Sequence, residues 1–183
     1  MALKLHSLAD PNQRHLGNPL VTLYDLSMQI HLIAIGTRMP GWVNDGYTEY
    51  ARRLPHECKL NLTEIPLAQR SKSQPISRAI EDEGKRMQAA IGSNRRVIAL
   101  DVKGRDWSTE QLADKLKDWM QDGRDVSLLV GGPDGLADIC LQTAEQRWSL
   151  SPLTLPHPLV RVILAEQLYR AWSLNAGHPY HRA

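Results

Sequence analysis

Three stretches combine residue types and spacing that suit a binding site: Leu100-Asp-Val-Lys-Gly104, Gly131-Gly-Pro-Asp-Gly135 and Leu150 to His157. Val126 to Val130 reads as an apolar run without alternation, as expected of a strand covered on both faces in a parallel sheet. It stops at Gly131-Gly132-Pro133, where the glycines allow backbone angles closed to other residues and the proline bars continuation. A tight loop at the carboxyl end of a parallel strand is where open α/β sheets bind ligands. The pattern returns in Ser149 to Leu155, read as a strand, which Pro156-His157-Pro158 ends before a helix begins. Two such loops side by side would clasp a small molecule. The chain has no GxGxxG fingerprint, no Walker loop, no nucleophile elbow, no paired-carboxylate motif and no metal-ligand spacing. A bound cofactor is therefore expected to carry the chemistry, with the protein supplying orientation.

The elements that must position these loops alternate regularly from Met28 onward. Strands are expected at 29–35, 59–65, 96–102, 126–130 and 149–155, and helices at 40–54, 76–91, 108–122, 134–146 and 158–174. Within the first helix Trp42, Val43, Tyr47, Tyr50 and Leu54 recur at three and four residues. Ser108 caps the third helix with Glu110 and Gln111 near the capping-box position, and Gly123 ends it. Strands alternating with helices predict an α/β fold, a parallel sheet flanked by helices.

At 183 residues the chain is expected to form one domain, and 42% hydrophobic with 23% charged residues is ordinary for a globular protein. A net charge of only +2 means that any polyanion binding must come from a local patch rather than a bulk basic field. Cys58 and Cys140 make no ligand spacing and read as small buried or half-buried thiols. No membrane span is expected, and without a secretory signal pattern a cytoplasmic location is inferred. Residues 1–27, with Pro11, Gly17 and Pro19, read as a loosely held extension before a single domain at 28–183, although Leu20 to Leu26 could form a short strand.

Gly131-Gly-Pro-Asp-Gly135, Leu153-Thr-Leu-Pro-His-Pro-Leu-Val-Arg161, Glu166-Gln-Leu-Tyr-Arg-Ala-Trp172 and His178-Pro-Tyr-His-Arg182 resemble the ribosomal RNA large subunit methyltransferase H family of the SPOUT superfamily. The resemblance runs from Met28 to Ala183 and includes Gly36-Thr-Arg-Met-Pro40 and Gly123-Arg-Asp-Val126. It implies S-adenosyl-L-methionine-dependent methylation of N3 of pseudouridine 1915 in a 23S rRNA stem-loop of the assembled 70S ribosome. It also implies a homodimer and a C-terminal trefoil knot, which no propensity argument reaches. No metal and no membrane partner are expected, from the absence of ligand spacing and of an apolar span. Cofactor contacts are carried over to Leu100, Gly131, Leu150, Ser151, Pro152, Leu153, Thr154 and Leu155. There backbone groups would read the adenine edge while Leu150, Leu153 and Leu155 flank its faces.

A base for the N3 proton suggests histidine, with His157 and His181 the candidates by position. His157, between prolines, equally suits a rigid hinge. Tyr180, His181 and Arg182 combine an aromatic face, a titratable ring and a guanidinium, which suits an exposed RNA base, though so near the terminus fraying is the default. Arg161, on the first turn of the last helix, is a candidate to face cofactor or RNA. Arg52, Arg53, Arg70, Lys72, Arg95, Arg96, Lys103, Arg105 and Arg170 are further RNA candidates. A transfer RNA substrate and a non-catalytic ribosome-assembly factor are the alternative functions.

Overall fold

The computed structural model describes residues 27–182. The extension expected at 1–27 lies outside the described residues except for Ser27, as does the possible strand at Leu20 to Leu26. Met28 is fully buried and its N–H donates to the Glu57 carbonyl. β1 (Ile30–Ile35), β2 (Leu60–Ile65), β3 (Arg96–Asp106), β4 (Val126–Val130) and β5 (Gln146–Ser149) form one sheet in the order β2-β1-β4-β3-β5. Every pairing is parallel, so the expected α/β fold is the one observed. The apolar run Val126–Val130 is the central strand and is buried throughout, the environment its lack of alternation implied.

Alternate faces of the strands pack against different helices. Leu32, Ile98 and Leu128 join a core with Leu112, Leu116 and Trp119 of α3 (Thr109–Asp122) and Leu164 and Leu168 of α5 (His157–Asn175). Tyr47 and Tyr50 of α1 (Gly41–Ala51) pack against the same core. Ile33, Ile35 and Leu129 point the other way, toward Met87 of α2 (Ile76–Ala90) and Cys140 of α4 (Asp138–Thr143). The period of two in each strand thus divides the apolar residues between two helical layers. Both cysteines are buried free thiols, and burial pushes the Cys58 thiol up to about 12. The Ser108–Gln111 capping box forms in full, and Gly123 closes α3 at φ 74°.

Several boundaries depart from expectation. Ser149 to Leu155 is not a strand: β5 ends at Ser149, and Ser149 and Ser151 spend their hydroxyls on turns, Ser149 Oγ donating to the Ser151 carbonyl and Ser151 Oγ accepting from Leu153 N–H. Residues 134–137 are not helical, because Gly135 N–H donates back to the Gly132 carbonyl and Gly135 takes φ +88°. Trp42, expected on the inner face of α1, is 53% exposed. β3 runs on to Asp106, with a register shift against β5 between Leu100 and Arg105. No helix among the described residues is long and apolar enough to cross a membrane.

Trp119 is among the largest fully buried side chains and contacts Trp107 at 6.4 Å between ring centroids. Trp119→Ala is expected to cost about 3–5 kcal/mol by urea unfolding, from lost transfer energy and the cavity left behind.

Candidate active site

Because every strand runs the same way, the carboxyl-terminal half of β3 and the loops after β4 and β5 meet at one end of the sheet. They enclose a cleft of about 810 Å³. Leu100, Gly131, Leu150, Ser151, Leu153, Thr154 and Leu155 line it together with His157 and Val160. Pro152 belongs to the same loop but is not part of the lining. Residues 150–156 carry the chain from β5, at the sheet edge, past β3 and β4 to the end of β1, where α5 starts.

The glycines of the β4 loop serve its own closure more than access by a ligand. A Cβ on Gly131 would lie 2.5 Å from the Gly135 carbonyl carbon, and one on Gly132 would lie 3.2 Å from Ile35 Cγ2. The loop is also tied down from outside. Arg70 donates to Asp134 at 2.9 Å and to Glu83 of α2, whose carboxylate is nearly fully buried and also accepts Ala68 N–H at 2.8 Å. Arg70 thereby couples the segment after β2, helix α2 and the cleft loop, and its pKa is raised chiefly by the hydrogen bond to Glu83.

His157 Nε2 lies 2.5 Å from the Ile35 carbonyl oxygen, and only a protonated ring nitrogen can donate to a carbonyl. Burial lowers the His157 pKa, the bond to Ile35 partly offsets that, and the Arg161 charge lowers it further. The ring is therefore neutral near pH 7, with Nδ1 as its acceptor. Arg161 is not at the cleft surface where it was expected. It is fully buried, bonding the Glu64 carboxylate through Nη1 and the Gly36 and Ile35 carbonyls through Nη2, while Nε has no partner. Its position three, four and seven residues before Leu164, Ala165 and Leu168, all fully buried, places it on the inward stripe of α5.

This chain is similar to known proteins in sequence and in fold. A family model described as "predicted SPOUT methyltransferase" matches residues 28–181. A relative from Methylococcus capsulatus named "Ribosomal RNA large subunit methyltransferase H" is 59% identical over 155 residues, covering 85% of this chain and 100% of that protein. One of the same name from Thioalkalivibrio sulfidiphilus is 63% identical, covering 85% and 99%. The chain belongs to the ribosomal RNA large subunit methyltransferase H family of SPOUT methyltransferases. Among solved structures, a probable methyltransferase from Bordetella pertussis Tohama I superimposes with a TM-score of 0.52 at 16% identity, covering 80% of this chain and 95% of that one. At that identity the likeness concerns the fold alone.

The described part of the tail of this SPOUT chain packs on α5. Pro179–Arg182 forms a 3-10 turn on the far end of α5. The Tyr180 hydroxyl donates to Glu166 at 3.1 Å, its ring lies 4.8 Å from Tyr169, and the Arg170 guanidinium sits 5.0 Å from the ring centroid. His181 Nδ1 donates to the His178 carbonyl. Val160 lines the cleft and Trp172 lies beside the tail, twelve residues on, or about 18 Å along the helix. The structure thus brings His157 to the cleft and leaves Tyr180, His181 and Arg182 at the opposite end of α5. Glu83, Asp134 and Glu64 were missed by sequence reasoning. A carboxylate amid the apolar positions of α2 was the available signal for Glu83, but nothing local pairs it with Arg70.

Arg70→Gln leaves Glu83 buried without its cation. Arg70 is itself a quarter exposed, so the expected loss is about 2–3 kcal/mol, below that of a fully buried pair. Asp134→Asn, which removes only the exposed arm of the tie, is expected to cost under about 1 kcal/mol in the same urea titration.

Folded His157 titrates below the unfolded ring at 6.5. Its contribution to stability is therefore full above the unfolded value and declines as pH falls through it toward the folded value, because there only the unfolded chain takes up the proton. Urea midpoints measured between about pH 7.5 and 5.5 are expected to fall less steeply for His157→Gln than for the parent.

Proposed function

We propose that this chain is an S-adenosyl-L-methionine-dependent methyltransferase that modifies N3 of a pseudouridine, at position 1915 of 23S rRNA, on the assembled 70S ribosome. The observation that carries the reading is the cleft at the carboxyl ends of β3, β4 and β5, in a family whose members are named for ribosomal RNA methylation. The residues present fit the cofactor. The cleft volume lies within the range of small-molecule sites, about 300–1,000 Å³. Among the described residues the backbone groups of Thr154 and Leu155 have no hydrogen-bond partner, which leaves them available to an adenine edge.

When bound, S-adenosylmethionine supplies a methyl group already activated on a sulfonium. Leu100, Gly131, Leu150, Ser151, Leu153, Thr154 and Leu155 would hold and orient it, with Pro152 stiffening the loop. Aligning the methyl group with N3 supplies much of the acceleration. The neutral His157 ring, held by its Nε2–H bond to Ile35, offers Nδ1 to the N3 proton as the new C–N bond forms. Arg161 acts from beneath, fixing the first turn of α5, and its charge adds to burial, the larger cause, in keeping His157 neutral.

The reading includes a homodimer. The tail lies at the wrong end of its own α5 to reach its own cleft, so Tyr180, His181 and Arg182 are assigned to the cleft of a second copy. Exposed Trp42 and Leu159 are apolar surface that such a copy would cover. The crossing of residues 150–156 over β3 and β4 supports the trefoil-knot topology implied by the resemblance. Among the described residues no cluster of His, Cys, Asp and Glu is arranged to hold a metal, and the proposed reaction needs none. A ribosomal substrate carries with it a cytoplasmic location.

The test is transfer of labelled methyl from S-adenosylmethionine to ribosomes lacking the modification, mapped by nuclease digestion and mass spectrometry. A single methylated pseudouridine is expected. Cofactor binding without transfer would redirect the search to transfer RNA, and absence of binding would favour an assembly factor. Deleting residues 180–183, or replacing His157 by Ala, is expected to lower transfer at least 100-fold, and mixing the two variants is expected to restore part of it. Restoration requires heterodimers in which one intact tail meets one intact cleft.

A further inference from the structure

The cations of this chain divide into those already matched and those left over. At the amino-terminal end of the sheet Arg95, Arg96 and Arg124 are matched with Asp122, Asp125 and Glu145. Arg52 and Arg53 share Glu49, and Arg70 is held by Glu83 and Asp134. Lys103, Arg105 and Arg147 are exposed and, among the described residues, have no carboxylate within 4.0 Å. Arg38, Lys59, Lys72, Arg78 and Lys85 share that condition, but these three lie on the neighbouring strands β3 and β5.

These three cations are gathered by the irregular end of β3. A Cβ on Gly104 would lie 2.7 Å from the Arg147 backbone, so the chain between Lys103 and Arg105 presses directly on Arg147. Arg105 pairs in register with Trp148. Lys103 and Arg147 both line the cleft. The nearby acids make no ion pair with them: Asp134 is engaged by Arg70, Asp101 accepts the Lys103 N–H at 3.0 Å rather than the ammonium, and Asp106 and Asp138 lie beyond 4.0 Å of all three. Val102, 70% exposed between the cations, adds an apolar face. Two strand residues apart, Lys103 and Arg105 are spaced about 7 Å along the chain, comparable with successive phosphates on an extended strand.

We propose that Lys103, Arg105 and Arg147 form a rim that tracks the phosphates of the RNA strand flanking the target nucleotide and seats that nucleotide over the cleft. This rests on the methyltransferase reading above and assigns the RNA-positioning role to residues that are neither among the proposed cofactor contacts nor in the tail. A small unpaired cluster also fits the low net charge, since phosphate affinity grows with each charge neutralised.

The experiment is binding of a fluorescein-labelled 23S stem-loop RNA, followed by anisotropy against salt, together with calorimetric titration of S-adenosylmethionine. For Lys103→Gln/Arg105→Gln/Arg147→Gln the salt slope is expected to fall by about 2 from the parent value. KM for ribosomes is expected to rise at least tenfold, by a larger factor than the dissociation constant for S-adenosylmethionine. The charge-keeping variant Lys103→Arg/Arg105→Lys/Arg147→Lys is expected to restore the slope, and Arg124→Gln to leave it unaltered. An unchanged slope in the triple variant, an equal drop for Arg124→Gln, or a parent protein that binds no RNA at low salt would overturn the rim. A parent that binds RNA with the expected slope behaviour but transfers no methyl group would leave the rim standing and overturn the catalytic reading.

Discussion

A single buried guanidinium holds the working end of this molecule together. Arg161 ties the first turn of α5 to the ends of β1 and β2 by bonding Ile35, Gly36 and Glu64 at once. Burying a charge costs several kcal/mol unless nearly all its donors are satisfied, so one geometry is strongly preferred over its neighbours. That geometry sets where His157 stands. The same Ile35 carbonyl receives the His157 N–H, so the two side chains report on one backbone group and move together.

On the other side of the sheet Arg70 does comparable work for the β4 loop. Glu83 lies among the apolar residues of α2, close enough to Gly132 that a Cβ there would lie 3.3 Å from its carboxylate. The loop's shape is thus determined three times over: by its glycines, by the turn from Gly132 to Gly135 and by the tether through Asp134. Rigid loops at the carboxyl ends of parallel strands preorganise backbone groups for a ligand and avoid the entropy cost of ordering them on binding. The segment from Leu150 to Pro156 is held less tightly, by short serine turns and prolines, which keeps its peptide groups available.

Polarity along α5 divides the labour of the chain. Its first turn carries His157 and borders the cleft, while its last turns carry Tyr169, Arg170 and Trp172, on which the tail rests. Packing on Tyr169 and the bond to Glu166 give Tyr180 a defined position and raise its pKa, chiefly through burial. The helix is therefore a rigid spacer between the cleft and the tail.

Much of the architecture was legible in the sequence because it rests on local periodicity. The unbroken run at 126–130, the capping box at Ser108 and the glycine stop at 123 depend on neighbours a few residues away, and each has the predicted form. Of the three strand ends at the cleft, that of β4 at Val130 was legible, since glycine and proline punctuate it, whereas β3 runs past Gly104 to Asp106. The boundaries at 134 and 149 were misjudged because proline and apolar content alone do not separate a strand from a loop that crosses a sheet. Only the tertiary structure decided that Arg161 is an internal tie, that Arg70 belongs to Glu83, and that Lys103, Arg105 and Arg147 are left unpaired. A charge's role depends on whether an opposite charge reaches it, and those partners lie from 13 to 97 residues away along the chain, where sequence spacing carries no information about distance.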